Sequence, residues 1–231
     1  TIRYSVGLGL FLSFLVIGGG AIGGNMWLAY RLRPRTSAGS ILNALDVVRN
    51  ALQTRRTLTL SITSTVFGLF FGIRALVQID TFLAWWHRTP FGINDPYFGK
   101  DISFFVFTYP WLTWLLGQLM LILVFSSIAA LVVHIAMGSL RRAQGNTSVF
   151  SLKGEGPLTV DAQRHISVLL GIILLVFGLQ QLIGRYGFAV DEGSLLTGIT
   201  YTDDQTRVIA NIVMAVIAFI VAALFIANAW I

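Results

Sequence analysis

The stretch that decides the fold is YSVGLGLFLSFLVIGGGAIGGNMWLAY, residues 4–30, which runs for 27 residues without a charge. A helix crosses a bilayer with about 20 predominantly apolar residues, so 4–30 reads as a membrane span. Four more stretches read the same way. Residues 58–79 are apolar except for Arg74, 111–138 are interrupted by Gln118 and His134, 166–184 end near Gln180 and Gln181, and 208–231 carry no charge. The composition agrees: of 231 residues 55% are hydrophobic and 11% charged, against roughly 25% charged in a soluble domain. Mean hydropathy is +0.77, which also excludes disorder. The expected fold class is therefore an all-α membrane protein, a polytopic transmembrane helix bundle with about five spans. Zero Cys removes disulfides, thiol catalysis, Cys-ligated zinc and iron–sulfur clusters. A removable signal peptide is a poor reading of 4–30, which is too long and lacks a basic start of several residues. The chain begins without Met and stops at Trp230-Ile231 inside an apolar run, so it is expected to be part of a longer polypeptide.

Net charge is +6, and its distribution assigns it to topology. Residues 31–56 hold Arg31, Arg33, Arg35, Arg49, Arg55 and Arg56; residues 87–109 hold Arg88 and Lys100; residues 139–165 hold Arg141, Arg142, Lys153 and Arg164; residues 185–207 hold two Arg against Asp191, Glu192, Asp203 and Asp204. The alternation follows the positive-inside rule. It predicts a plasma-membrane chain with the N-terminus outside and the C-terminus cytoplasmic. Nucleic acid is not an expected partner, because the basic residues serve orientation. Aromatics mark the interfaces: Trp27, Tyr30 and Trp230 at inner ends, and Trp85, Trp86, Tyr97, Tyr109, Trp111 and Trp114 at the outer ends of spans two and three.

The first inner loop places Ile41, Leu42, Leu45, Val48 and Leu52 on one helical stripe after Ser40. This predicts a short amphipathic helix, either lying on the inner leaflet or packed on the protein's own face. The second inner loop carries Gly154-Glu-Gly156, which lacks the spacing and Lys-Ser/Thr pair of a phosphate loop. The outer loop reads Thr89-Pro-Phe-Gly-Ile-Asn-Asp-Pro-Tyr-Phe-Gly-Lys-Asp-Ile-Ser-Phe-Phe-Val-Phe107, turn-rich and then aromatic. It closely resembles the signature of uncharacterised protein family 0182, a group of large bacterial membrane proteins. Other segments match in order: Asn25-Met-Trp-Leu-Ala-Tyr-Arg-Leu-Arg-Pro34, Ala130-Leu-Val-Val-His134, His165-Ile-Ser-Val-Leu-Leu-Gly171, Arg185-Tyr-Gly187 and Leu196-Thr-Gly-Ile-Thr-Tyr-Thr-Asp203. The resemblance covers nearly the whole chain and implies about seven N-terminal spans followed by a large external domain. The first span, the last span and the external C-terminal domain would then lie outside this chain. The resemblance brings no catalytic residues.

His134 and His165 fall near the same membrane face on successive spans, where two imidazoles facing each other would be needed for haem ligation. The preferred reading is structural, with His134 bonded to a carbonyl and His165 interfacial beside Arg164; no cofactor or metal is expected. Asp191, Glu192, Asp203 and Asp204 are hard-cation ligands by type, but Thr202-Asp-Asp-Gln205 reads more simply as a capping box opening span five. Glycines 18, 19, 20, 23 and 24 in span one, and the pairs Ala218/Ala222 and Ala223/Ala227 in span five, read as close-packing surfaces; a broken substrate-binding helix at the glycines is the alternative.

The polar residues within the spans are more informative. Arg74, Gln78, Gln118, Gln180, Gln181 and Asn211 all fall towards the outer face, where they would form a polar or lipid-headgroup pocket, or simply interhelical hydrogen bonds. Arg74 needs a partner or an escape to the surface. Asp80, about 240° further round the helix, does not share its face, whereas Gln78 does. Gln118, Gln180, Gln181, a carbonyl or a lipid phosphate are the expected contacts. Taken together, the sequence predicts a non-enzymatic membrane anchor or scaffold for a larger envelope protein. Its expected partners are membrane lipids and either other membrane subunits or the protein's own external domain. A transporter or lipid-handling protein is the alternative.

Overall fold

The computed structural model describes residues 2–34, 45–139, 158–190, 199–201 and 203–230. Among them lie seven α-helices: α1 (Ile2–Arg31), α2 (Asp46–Thr54), α3 (Arg56–Leu76), α4 (Ile79–Trp86), α5 (Tyr109–Ala136), α6 (Val160–Gly184) and α7 (Ile209–Asn228). A π-helical turn, Phe104–Thr108, leads into α5; a 3-10 turn, Arg185–Ala189, extends α6; a second π-helical turn, Asp203–Val208, leads into α7. With these turns, α1, α3, α5, α6 and α7 run for 30, 21, 33, 30 and 26 residues and are apolar enough to cross a membrane. The chain is an all-α membrane protein.

Span two is shorter than its hydropathy suggests. The helix ends at Leu76, the chain bends at Val77-Gln78, and Ile79 opens α4. The bend lets Phe82 and Trp85 reach Trp111, at ring separations of 5.1 and 5.7 Å. Trp111, read from sequence as an interfacial anchor, is instead a core residue, stacked between Trp85 and Trp114. Asp80 meets Arg3 of α1 at 2.8 Å, an exposed pair that contributes little.

α1 packs between α3 and α5, and α6 packs between α5 and α7. Lipid is as apolar as the side chains, so close contact and interhelical hydrogen bonds hold such helices together. α1 is unbroken through its glycines, which face two ways. Gly18, Gly19 and Gly23 abut α3, whereas nothing lies within 4 Å of the Cβ positions of Gly20 and Gly24. At Gly19 a Cβ would stand 2.5 Å from the Ser64 carbonyl oxygen, and at Gly68 2.7 Å from that of Leu15. The Ser64 hydroxyl donates to the Gly19 carbonyl at 2.6 Å. On α7, Ala215, Ala218 and Ala222 are buried, with Ala222 close to Gly171 of α6; Ala223 and Ala227 are exposed, so that expected pair forms no seam among the described residues.

α2 answers the question its amphipathic stripe left open. Leu52 is fully buried and Val48 packs on the core, while Val47 points outward, 76% exposed. The helix therefore packs on the protein itself, with α3 turning away after Arg55. Ile41 and Leu42, like the 154–156 glycines, lie outside the described residues.

Candidate functional site

The structure arranges the polar residues in three places, beginning with the loop of residues 89–107. The carboxylate of Asp101 accepts from the backbone N–H groups of Phe91 (3.1 Å), Gly92 (2.8 Å) and Ser103 (2.8 Å). The Ser103 hydroxyl and these N–H groups lower its pKa to about 2. Asp95 likewise holds the N–H groups of Tyr97 and Phe98, and a ladder of Asp95 N to Lys100 O (2.7 Å) and Ile102 N to Ile93 O (2.9 Å) closes the loop. Gly92 and Gly99 sit at φ 74° and 63°, the left-handed region that suits glycine. The 89–107 run thus has a mechanical content: two carboxylates and two glycines fold it.

That loop is docked rather than free. The Tyr97 hydroxyl donates to Asp204 at the entry of α7, and this bond raises the Tyr97 pKa. Phe98 and Phe104 pack on Tyr186 at 4.8 and 5.1 Å, and Tyr109 presses its hydroxyl on Gly187. Between the loop and the α7 entry lies a recess of about 480 Å³, lined by residues including Asp95, Tyr97, Thr200, Tyr201 and Asp204. A capping box stands at the entry of span five. Thr200 and Asp203 form it reciprocally, Asp203 N donating to the Thr200 hydroxyl (3.2 Å) and Thr200 N to the Asp203 carboxylate (3.1 Å). Thr202, Asp191 and Glu192 lie outside the described residues. Asp203 also pairs with Arg207, and no cluster of three His, Asp or Glu suited to a metal occurs among the described residues.

The polar residues within the spans divide between two helix groups. Arg74 of α3 donates through Nε to Gln118 Oε1 of α5 at 2.9 Å, and its guanidinium lies 5.8 Å from the Phe70 ring centroid. Gln118 is 1% exposed, yet its Nε2 has no acceptor among the described residues. Gln78 is engaged at the bend, accepting from the Thr81 hydroxyl at 2.9 Å. Gln180 and Gln181 stand half-buried on α6. Asn211 of α7 has its amide nitrogen 3.8 Å from the Cβ position of Gly184. Arg74 and Gln118 are thus brought together, while Asn211 serves the α6–α7 seam.

The third place was only half legible. α5 stops at Gly138, φ 81°, in a Schellman arrangement: Ser139 N bonds His134 O (2.9 Å) and Gly138 N bonds Ile135 O (3.1 Å). Thr159 N then bonds Ser139 O at 2.9 Å, clamping the start of α6 to the end of α5. His134 and His165 lie five and six residues from that clamp, so an antiparallel pair of helices brings them level. His134 Nε2 and His165 Nδ1 are 3.1 Å apart, and His165 Nε2 is 3.1 Å from Asn25 Oδ1 of α1. His165 is buried at 7% exposure, not interfacial, and His134 bonds to it, not to a carbonyl.

The tautomers follow by elimination. Asn25 donates through Nδ2 to the Ala21 carbonyl at 2.8 Å, so its Oδ1 accepts. With both imidazoles neutral, His165 carries its proton on Nε2 and accepts at Nδ1, and His134 donates from Nε2 and accepts at Nδ1. The Ser139 hydroxyl faces that nitrogen at 3.5 Å. One polarity runs from Ser139 through both imidazoles to Asn25 and ties α5, α6 and α1 together. Asn25 and Ser139 were not legible as its ends, because nothing in the sequence shows that α1 meets α6 there. Gln118 and His134 lie about 24 Å apart along α5, so the two layers sit towards opposite ends of the bundle.

Comparison with known proteins fits this picture. The family described as "Uncharacterised protein family (UPF0182)" matches residues 1–231. A UPF0182 protein of Nocardioides sp. is 38% identical over 94% of this chain and 21% of its own length. One of Streptomyces coelicolor is 36% identical over 96% and 22%, and one of Kineococcus radiotolerans 35% identical over 90% and 20%. The chain thus spans about a fifth of the length of the curated relatives it matches. No solved structure matches it. Matched from its first residue to its last, the chain belongs to the uncharacterised protein family UPF0182.

Proposed function

We propose that this chain is a non-enzymatic membrane anchor of a larger envelope protein, and that it holds a rigid platform at the outer surface for that protein's extramembrane part or for neighbouring membrane subunits. The observation that carries this reading is the folded, docked outer loop. A connector between two spans needs no internal ladder, and ordering each residue costs about 1–2 kcal/mol of backbone entropy. Here Asp95 and Asp101 hold the loop's own backbone, and Tyr97 ties it to Asp204. The interhelical polar contacts support the same role, since Ser64, Arg74, His134 and His165 bond between helices. The charge alternation supports a plasma-membrane placement with this platform outside, and lipids as the surrounding partner. A photo-crosslinking residue in place of Tyr201, which is 82% exposed at the recess, tests the reading. In native membranes it should capture a protein segment outside this chain or a neighbouring subunit; crosslinks to lipid alone would refute it.

A lipid-handling or transport role is the second reading, and one observation favours it. Arg74 gives its Nε to Gln118 while the residue itself is exposed, so the rest of its guanidinium edge is open to a lipid phosphate. Under this reading Arg74→Leu inserts normally but co-purifies with less anionic lipid. Unchanged lipid content and unchanged melting temperature would leave Arg74 as a snorkelling residue.

A further inference from the structure

The arginine-rich end of the bundle carries a second feature, separate from both polar layers. Arg31 at the end of α1, Arg33 just beyond it and Arg56 at the start of α3 converge on Trp27 and Tyr30 around a recess of about 360 Å³. Arg33 Cζ lies 4.1 Å from the Tyr30 ring centroid and Arg56 Cζ 5.3 Å from the same ring; Arg31 Cζ lies 5.3 Å from Trp27. We propose that this recess binds the phosphate of an anionic phospholipid headgroup in the leaflet at that end.

Three arguments converge. The first is charge. No Asp or Glu occurs before Asp46, nor between Asp46 and Asp80, and the two ion pairs among the described residues are Arg3–Asp80 and Arg207–Asp203. Three like charges held together without a carboxylate call for an anion. The second is geometry. Aromatic rings engage guanidinium faces and leave the N–H edges directed outward, which is the fork that phosphate oxygens accept in pairs. Fixing that fork beforehand lowers the ordering cost of binding. The third is depth. α1 is 30 residues long, about 45 Å, so a hydrocarbon core of about 30 Å leaves its end at headgroup level. Trp27, 43% exposed, has the amphipathic ring expected there. Clusters of basic residues next to a span are where anionic lipids gather. A free phosphate shares this chemistry, and the ring beside the bilayer selects the lipid.

The test uses the whole protein, purified in mild detergent and stripped of lipid. Phosphatidylglycerol added in micelles should bind and raise the melting temperature, whereas phosphatidylcholine and 10 mM (on the order of physiological) inorganic phosphate should not. Arg33→Gln with Arg56→Gln should lower retained phosphatidylglycerol about tenfold, the effect of losing charge-assisted contacts, with helix content by circular dichroism unchanged. Retention equal to the parent would overturn the proposal, and so would equal protection by inorganic phosphate. Should the double variant not fold, phenylglyoxal labelling of the unaltered protein decides. Phosphatidylglycerol should protect Arg33 and Arg56 from modification and leave the exposed Arg88 reactive; equal labelling with and without it would refute the site.

Discussion

Two adjacent glycines offer an internally controlled test of how the bundle is held. In Gly19→Ala the new Cβ stands 2.5 Å from the Ser64 carbonyl oxygen and 3.2 Å from the Gly68 Cα. Both are backbone, so no rotamer can relieve the clash, and α1 and α3 must part by a large fraction of an ångström. Such overpacking costs about 1–3 kcal/mol. The separation also stretches the 2.6 Å bond from the Ser64 hydroxyl to the Gly19 carbonyl, a class of interhelical bond worth about 0.6 kcal/mol in a bilayer and at most about 1.7. In Gly20→Ala nothing lies within 4 Å of the Cβ, so that variant feels only the helix propensity of Ala, a gain of up to about 1 kcal/mol that both variants share. Gly19→Ala is therefore expected to be about 2–4 kcal/mol less stable than Gly20→Ala. Denaturation by increasing SDS in mixed micelles, followed by tryptophan fluorescence, measures the difference. Equal midpoints for the two variants would refute the close α1–α3 contact and the packing argument with it.

Other expectations follow from the polar sites. His134→Ala leaves the buried Nδ1 of His165 without a donor and opens a cavity, so stability should fall by about 2–4 kcal/mol in the same SDS titration. The same bonds occupy the ring nitrogens of both histidines, so the purified protein should show no haem band; a reduced-minus-oxidised spectrum lost in His134→Ala would refute the structural assignment. The depressed pKa of Asp101, about 2 against an ordinary 3.8, sets a pH window. The loop's stabilisation is complete above about pH 4 and is lost as pH falls through 2. Hydrogen exchange at the Gly92 and Ser103 amides, with each pH corrected for intrinsic exchange, should show protection at pH 5 that drops by pH 2, and Asp101→Asn should weaken it at both. For orientation, cysteines replacing Ser37 and Ser148 should resist an impermeant thiol reagent in intact cells, while one replacing Ser194 should label; labelling at Ser148 from outside would reverse the topology.

What the sequence by itself determined is what a bilayer demands of any chain. Long uncharged runs have to be helices, because hydrocarbon offers no partner for a free backbone group, so the five spans were legible from hydropathy alone. The partner of Arg74 was legible too, to within a few candidates, because depth along a span follows from residue count. Helix ends were less so. Hydropathy runs straight past Leu76 into α4, since the bend at Val77-Gln78 changes direction without changing polarity. A capping box at Thr200 went unread, because Thr202 is also followed three residues later by a side chain able to complete one. Only the tertiary structure decided which faces meet. It showed that Gly19 lies in a seam while Gly20 does not, that Trp111 is core and not belt, and that Asn25 from a distant span closes the histidine chain. Hydrophobic patterning selects for burial in lipid on every side, so in a membrane it cannot say which neighbour a helix face touches. That choice rests on close contact between small residues and on a few interhelical hydrogen bonds, which exist only once the helices are side by side.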